Sequence, residues 1–205
     1  MPCYEFEGVR PVVDPTAFVH PTATIIGDVI IGRGCLVGPG ASLRGDIGSI
    51  ILKPGSNVQD NCTVHCFPGK ATIIEQNGHV GHGAVLHGCT IGRNALIGMG
   101  AVIMDDAVIG EESFVAALAF VKAETTVPPR TLVAGIPARV IRTLEEREIN
   151  WKTQGTKVYQ ELARRYLATM KEVQPHPSMP EGRAKLPAIG YQPKHDQTAP
   201  EHGSS

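Results

Sequence analysis

The sequence has no long apolar run, no surplus of either charge and few aromatic rings, and each shortage removes a class of function. No stretch approaches the ~18 consecutive apolar residues of a membrane span, so no membrane helix is expected. Lys and Arg number 19 against 20 Asp and Glu, a net charge of −1, and aromatic residues make up 5%. Without a basic stripe or a stacking platform, nucleic acid is not an expected partner. The 5 cysteines form no CxxC pair and no even disulfide set, which fits a reducing compartment. Met1-Pro2-Cys3-Tyr4-Glu5 carries no basic-then-apolar leader, so a cytoplasmic location is expected.

What the sequence does have is a period of six. Aliphatic residues fall at Val13, Val19, Ile25, Ile31, Val37 and Leu43, restart at Leu52, Val58 and Val64, and pass through Ile74 and Val80 to Val85. They then return to six at Ile91, Ile97, Ile103, Ile109, Val115 and Val121. Four places after most of these stands a small residue, from Ala17 and Ala23 through Cys35, Cys62 and Cys89 to Ser113 and Ala119. Such a period suits neither an amphipathic helix nor an alternating strand, but it does suit a parallel β-helix. Each repeat supplies one short strand and one turn, and three repeats close a triangular coil that stacks at about 4.8 Å. The aliphatic residues fill the prism, and the cysteines among the small residues are expected to be packing groups.

Against this background three histidines stand out: His65, His82 and His87. Three imidazoles with a fourth position open are the donor set of a catalytic metal site. Sorting the repeats three to a coil puts those starting at Ile25, Leu43, Val64, Val85 and Ile103 on one face. Those starting at Val19, Val37, Val58, Val80 and Ile97 fall on another. His65 and His87 then share a face in adjacent coils, whereas His82 lies about a third of a turn away. A second copy related by a three-fold axis would present it, so a homotrimer with interfacial metal sites is expected. Imidazoles accept Zn2+ as well as Fe2+, Co2+ or Ni2+, and zinc is the first expectation.

Arg44-Gly45-Asp46, Asn57-Val58-Gln59-Asp60-Asn61, His65, Gly81-His82 and His87-Gly88-Cys89 together resemble the γ-class carbonic anhydrases and their left-handed β-helix relatives. The resemblance implies a left-handed coil, with His65 and His87 from one subunit and His82 from its neighbour as metal ligands. It also implies an inter-subunit ion pair between Arg44 and Asp60, and a role for Gln59 in orienting the metal-bound water, with Asp46 a second candidate. Residues Tyr4 to Gly8, Glu75 to Cys89, Trp151-Lys152 and Tyr159-Gln160 are similar to the branch of the phenylacetate-degradation thioesterase and the carnitine-operon protein. That branch implies a metal-dependent hydrolase of CoA thioesters, with acyl-CoA as substrate and phenylacetate or aromatic-acid degradation as setting. CO2 hydration is the runner-up, although Phe67-Pro68-Gly69-Lys70 lacks the acid that the well-studied anhydrases carry after the first histidine. A metal-free hexapeptide acyltransferase and a non-catalytic metal-binding trimer are further alternatives.

The expected organisation is an N-terminal strand or cap (1–12), the β-helix (13–140), a helical segment (141–172) broken near Gly155, and a flexible Pro-rich tail (173–205). The apolar residues Ile149, Val158, Leu162, Tyr166 and Leu167 are expected to lie along the prism or a neighbouring subunit. The tail's His176, His195 and His202 are expected to be solvated.

Overall fold

The computed structural model describes residues 3–187 and 189–194. Short parallel strands climb a three-sided prism, and their inward residues stack into continuous ladders. One ladder is Val13, Ile31, Leu52, Ile74, Ile91, Ile109 and Val127. A second is Val19, Val37, Val58, Val80, Ile97, Val115 and Val133. The third is Ile25, Leu43, Val64, Leu86, Ile103 and Val121. The protein is mainly β, a left-handed parallel β-helix of hexapeptide repeats with one C-terminal helix. No helix among the described residues is long and apolar enough to cross a membrane.

The third ladder corrects the sequence reading at one place. Leu86, not Val85, pairs with Val64 and Ile103 and is fully buried. The spacing from Val80 is therefore an unbroken six. The missing residue falls between Leu86 and Ile91, at a corner where Gly88 adopts a φ of +58°.

The small residues lie inside at the corners as expected: Cys35, Cys62, Ala84, Cys89 and Ala95 are at most 1% exposed. Burial pushes the Cys62 thiol up to about 11 and the Cys89 thiol up to about 12, so both stay protonated and act as small apolar groups. Several glycines at the turns allow close approach between coils. A Cβ on Gly98 would lie 2.4 Å from the backbone nitrogen of Ala117 in the next coil.

On the second face the residue before each inward valine or isoleucine points outward. The outward ladder runs Phe18, Leu36, Asn57, His79, Leu96, Phe114 and Leu132. The chain turns back through an antiparallel hairpin, Thr131–Gly135 with Ala138–Thr143. It then enters helix α1, Glu146–Thr169, through a capping box between Glu145 and Glu148. At 24 residues α1 is about 36 Å long, enough to cover the full height of this ladder. It packs Ile149 with Phe114 and Leu144 at one end, and Ala163 with Phe18 and Leu36 at the other.

Between these apolar ends the contact is polar. Lys152 Nζ donates to the Asn77 carbonyl (2.6 Å) and to Asn94 Oδ1 (2.8 Å), and Gln160 Nε2 donates to the Gly55 carbonyl (3.0 Å). Lys152 is 2% exposed, and burial lowers its ammonium to about 7. The helix runs unbroken through Gly155, where a Cβ would lie 2.5 Å from the Tyr191 hydroxyl. Gly155 thus makes room for the tail instead of ending the helix. Tyr191 stacks on Trp151 at 5.7 Å, and Trp151 Nε1 donates to the Gln192 carbonyl, so this part of the expected flexible tail is docked. His176 is exposed, Leu167 is exposed near the C-terminal end of α1, and His195 and His202 lie outside the described residues.

Candidate metal centre

His65 and His87 are direct partners in adjacent coils, a consequence of Leu86 taking the inward place and turning His87 outward. His65 Nδ1 lies 3.2 Å from His87 Nε2. The other nitrogen of each ring is held by a carboxylate: His65 Nε2 is 3.0 Å from Asp46 Oδ1, and His87 Nδ1 is 2.7 Å from Asp105 Oδ1. With each ring's N–H directed at its carboxylate, the two facing nitrogens present lone pairs to each other. In those tautomers a cation could sit between the two lone pairs, whereas in the alternative one ring donates its N–H to the other across the same 3.2 Å. Tetrahedral zinc with Zn–N bonds of about 2.05 Å sets its ligand nitrogens ~3.3 Å apart, so the pair fits that ion. A carboxylate behind each ligating imidazole is the usual outer support of such a site.

Asp46 serves two partners, with Oδ2 accepting from Arg44 Nη1 at 2.6 Å. Burial works against its charge, yet the hydrogen bonds from Arg44 and His65 prevail and hold its carboxyl below the usual range. Over the other side of the pair, the Phe67 ring meets His87 edge-on at 5.0 Å. The rest of that loop is tied down by Lys70, which pairs with Asp106 at 2.8 Å.

His82 stands apart on a corner, its side chain 46% exposed, with Nδ1 against Asp60 Oδ2. Among the described residues of one chain, no three His, Cys, Asp or Glu side chains converge as a metal-binding group. Within the chain Arg44 pairs with Asp46 and Asp60 with His82, so Arg44 and Asp60 do not pair with each other. Gln59 is buried, and its amide nitrogen is committed to Asn57 Oδ1 (3.0 Å) and His79 Nε2 (2.7 Å). The fold thus assembles His65, His87 and Asp46 as one group and His82 with Asp60 as another, and turns the Gln59 nitrogen toward α1.

Two participants escaped the sequence reading. Asp105 stands one 18-residue coil after His87, so counting coils would have found it. Gly88 leaves the space it occupies, since a Cβ there would lie 2.4 Å from Asp105 Oδ1. Phe67 carried no periodic signal because its loop lies outside the repeat. His79, which matches no ligand role in the sequence, is a structural histidine, fixed by Gln59 and by the Tyr159 ring edge-on at 5.1 Å. Burial, with the positive fields of Lys152 and His82, lowers His79 to about 3 and keeps it neutral.

Fold and repeat define a class, the left-handed β-helices built from hexapeptides. The bacterial transferase hexapeptide family (six repeats) matches residues 10–45 and 88–123. A hexapeptide transferase family protein of Anaplasma phagocytophilum superposes with a TM-score of 0.78 at 39% identity, covering 80% of this chain and 98% of that one. A solved chain from Bacillus cereus superposes with a TM-score of 0.80 at 36% identity, covering 81% and 96%. Carnitine operon protein CaiE of Shigella flexneri serotype 5b (strain 8401) is 54% identical over 186 residues, 91% of this chain and 95% of the relative. The same protein of Escherichia coli O157:H7 gives the same figures. The chain belongs to the hexapeptide-repeat β-helix family, in the branch of the carnitine operon protein CaiE.

Proposed function

We propose that this protein is a metal-dependent hydrolase of CoA thioesters that acts as a homotrimer. In this reading a divalent ion, zinc first, is held by His65 and His87 of one copy and His82 of a second. The observation that carries it is the pair of imidazole nitrogens facing each other at 3.2 Å, each backed by a carboxylate on the ring's other nitrogen. His82 repeats the pattern with Asp60 on an exposed corner, which suits a donor offered to another copy. A bound ion of this kind polarises a carbonyl oxygen and lowers the pKa of water.

The chain's own residues perform the supporting steps. Asp46, Asp60 and Asp105 hold their imidazoles in the tautomer whose lone pair points away from the carboxylate. Arg44 keeps Asp46 ionised and therefore able to accept from His65. Phe67 covers one side of His87 and sheds water there. CO2 hydration would use the same donors, but it asks for rapid proton export. The loop 67–70 offers no carboxylate, and its one charge, Lys70, is spent on Asp106. The acetyltransferase description of the Bacillus cereus relative agrees with chemistry at an acyl group, and transfer to a second substrate is the competing outcome.

The test is release of free CoA from phenylacetyl-CoA and short-chain acyl-CoA by zinc-loaded protein, with His82→Ala and Asp105→Asn alongside. Hydrolysis that disappears in His82→Ala is expected. Asp105→Asn is expected to weaken zinc binding by about 10- to 100-fold, because an amide holds His87 less firmly in the required tautomer. Absence of thioester cleavage, with CO2 hydration or acyl transfer in its place, would sink the proposal.

A further inference from the structure

A slot of about 150 Å³ opens between the first coils of the prism and the C-terminal half of α1. On the prism side its wall is Phe18 and Leu36, outward neighbours in adjacent coils, and then Gln59 and Asp60 one coil further. On the helix side Tyr159, Leu162 and Tyr166 form one stripe, because spacings of three and four residues share a helix face. The slot persists because α1 is held by contacts elsewhere. Gln160 is fixed on the Gly55 carbonyl and on Asn77 Oδ1, Lys152 is fixed on Asn77 and Asn94, and Tyr159 rests on His79. At its outer end Phe18 stacks on Tyr166 at 4.7 Å.

We infer that this slot is the acyl-group subsite of the proposed thioesterase, taking an uncharged aryl or short aliphatic group of about six heavy atoms. The inference rests on the functional reading above. Three observations support it. An engineered apolar cavity of about 150 Å³ accommodates a benzene ring, which sets the scale. Phe18, Leu36, Leu162 and Met170 make the slot's wall largely apolar, and Oδ2 of its single carboxylate, Asp60, is turned to His82. That same Asp60 contacts His82, so the slot lies one side chain from the candidate ligand that would be offered to a second copy.

Two measurements separate this inference from the reading beneath it. Fluorine NMR titration of 4-fluorophenylacetamide reads the slot without turnover. The full-length protein is expected to bind the probe, and Leu162→Trp, which fills the slot, to weaken binding at least tenfold. In turnover, the kcat/KM ratio of phenylacetyl-CoA to acetyl-CoA is expected to fall at least tenfold in Leu162→Trp. Tyr166→Ala opens the mouth and is expected to raise the octanoyl-CoA to acetyl-CoA ratio, so the inference does not hang on one variant. Probe binding that Leu162→Trp leaves unchanged overturns the subsite, as does equal acceptance of an acyl group bearing trimethylammonium. Cleavage with unchanged ratios overturns the subsite and leaves the hydrolase standing. Probe binding abolished by Leu162→Trp, with no thioester cleaved, does the reverse.

Discussion

At the scale of single residues the protein is distinguished by how it holds its imidazoles. Each of the three candidate ligands leans on a carboxylate, whereas His79 leans on an amide and an aromatic edge and is kept neutral. Its folded value of about 3 lies below the 6.5 of an unperturbed histidine, so the unfolded chain takes up a proton that the folded chain refuses. The associated stability is present above pH 6.5 and is lost as pH falls toward 3, amounting to about 2–3 kcal/mol by pH 4.5. Urea unfolding at fixed protein concentration, at pH 7 and pH 4.5, is expected to show a shallower loss for His79→Gln than for the natural chain. Equal losses in the two would refute the burial of a neutral ring. His79 itself gave no sign of this in the sequence, because its environment is made by Tyr159 and Thr156, which lie some eighty residues away.

At the scale of elements the informative strand is Val85–His87. A five-residue gap to Val85 and a six-residue gap to Leu86 are both readable from the spacing, and periodicity alone cannot choose between two adjacent aliphatic residues. Hydrogen-bonded register with Thr63–His65 below and Val102–Ile103 above makes the choice, and it is the one that turns His87 outward toward His65. Leu86→Ala is therefore expected to cost about 2–5 kcal/mol in urea unfolding, and Val85→Ala less than about 1 kcal/mol. The opposite order would reinstate Val85 as the core residue. Helix α1 teaches a related lesson. Its apolar spacing suggested a face containing Val158 and Leu167, whereas the face that docks includes Lys152 and Thr156, because the middle of the ladder beneath it is Asn57 and His79. A polar ladder recruits polar partners, and apolar periodicity is blind to them.

At the scale of the whole molecule the three candidate ligands fall into two groups on different sides of the prism. His65 and His87 face each other, while His82 faces outward with Asp60. Arg44 and Asp60 do not meet within the chain, so an ion pair between them requires a second copy. Sedimentation at micromolar concentration is expected to give three times the mass of the chain. Arg44→Glu is expected to shift that mass toward one chain, and the exchange Arg44→Asp with Asp60→Arg to recover it. A single-chain mass for the natural protein would dismiss the shared site.

The sequence by itself determined the solenoid, the small residues at its corners and the assignment of the three histidines to two faces. These follow from a repeat in which each unit contacts copies of itself a fixed number of residues away, so spacing is structure. The tertiary structure alone decided what happens where the repeat is broken or left behind. It chose Leu86 over Val85, brought Asp105 behind His87, docked Tyr191 beside Gly155 and turned Gln59 toward α1. Those outcomes depend on side chains meeting across coils or across most of the chain, where fit and hydrogen bonding, not local spacing, set the minimum in free energy.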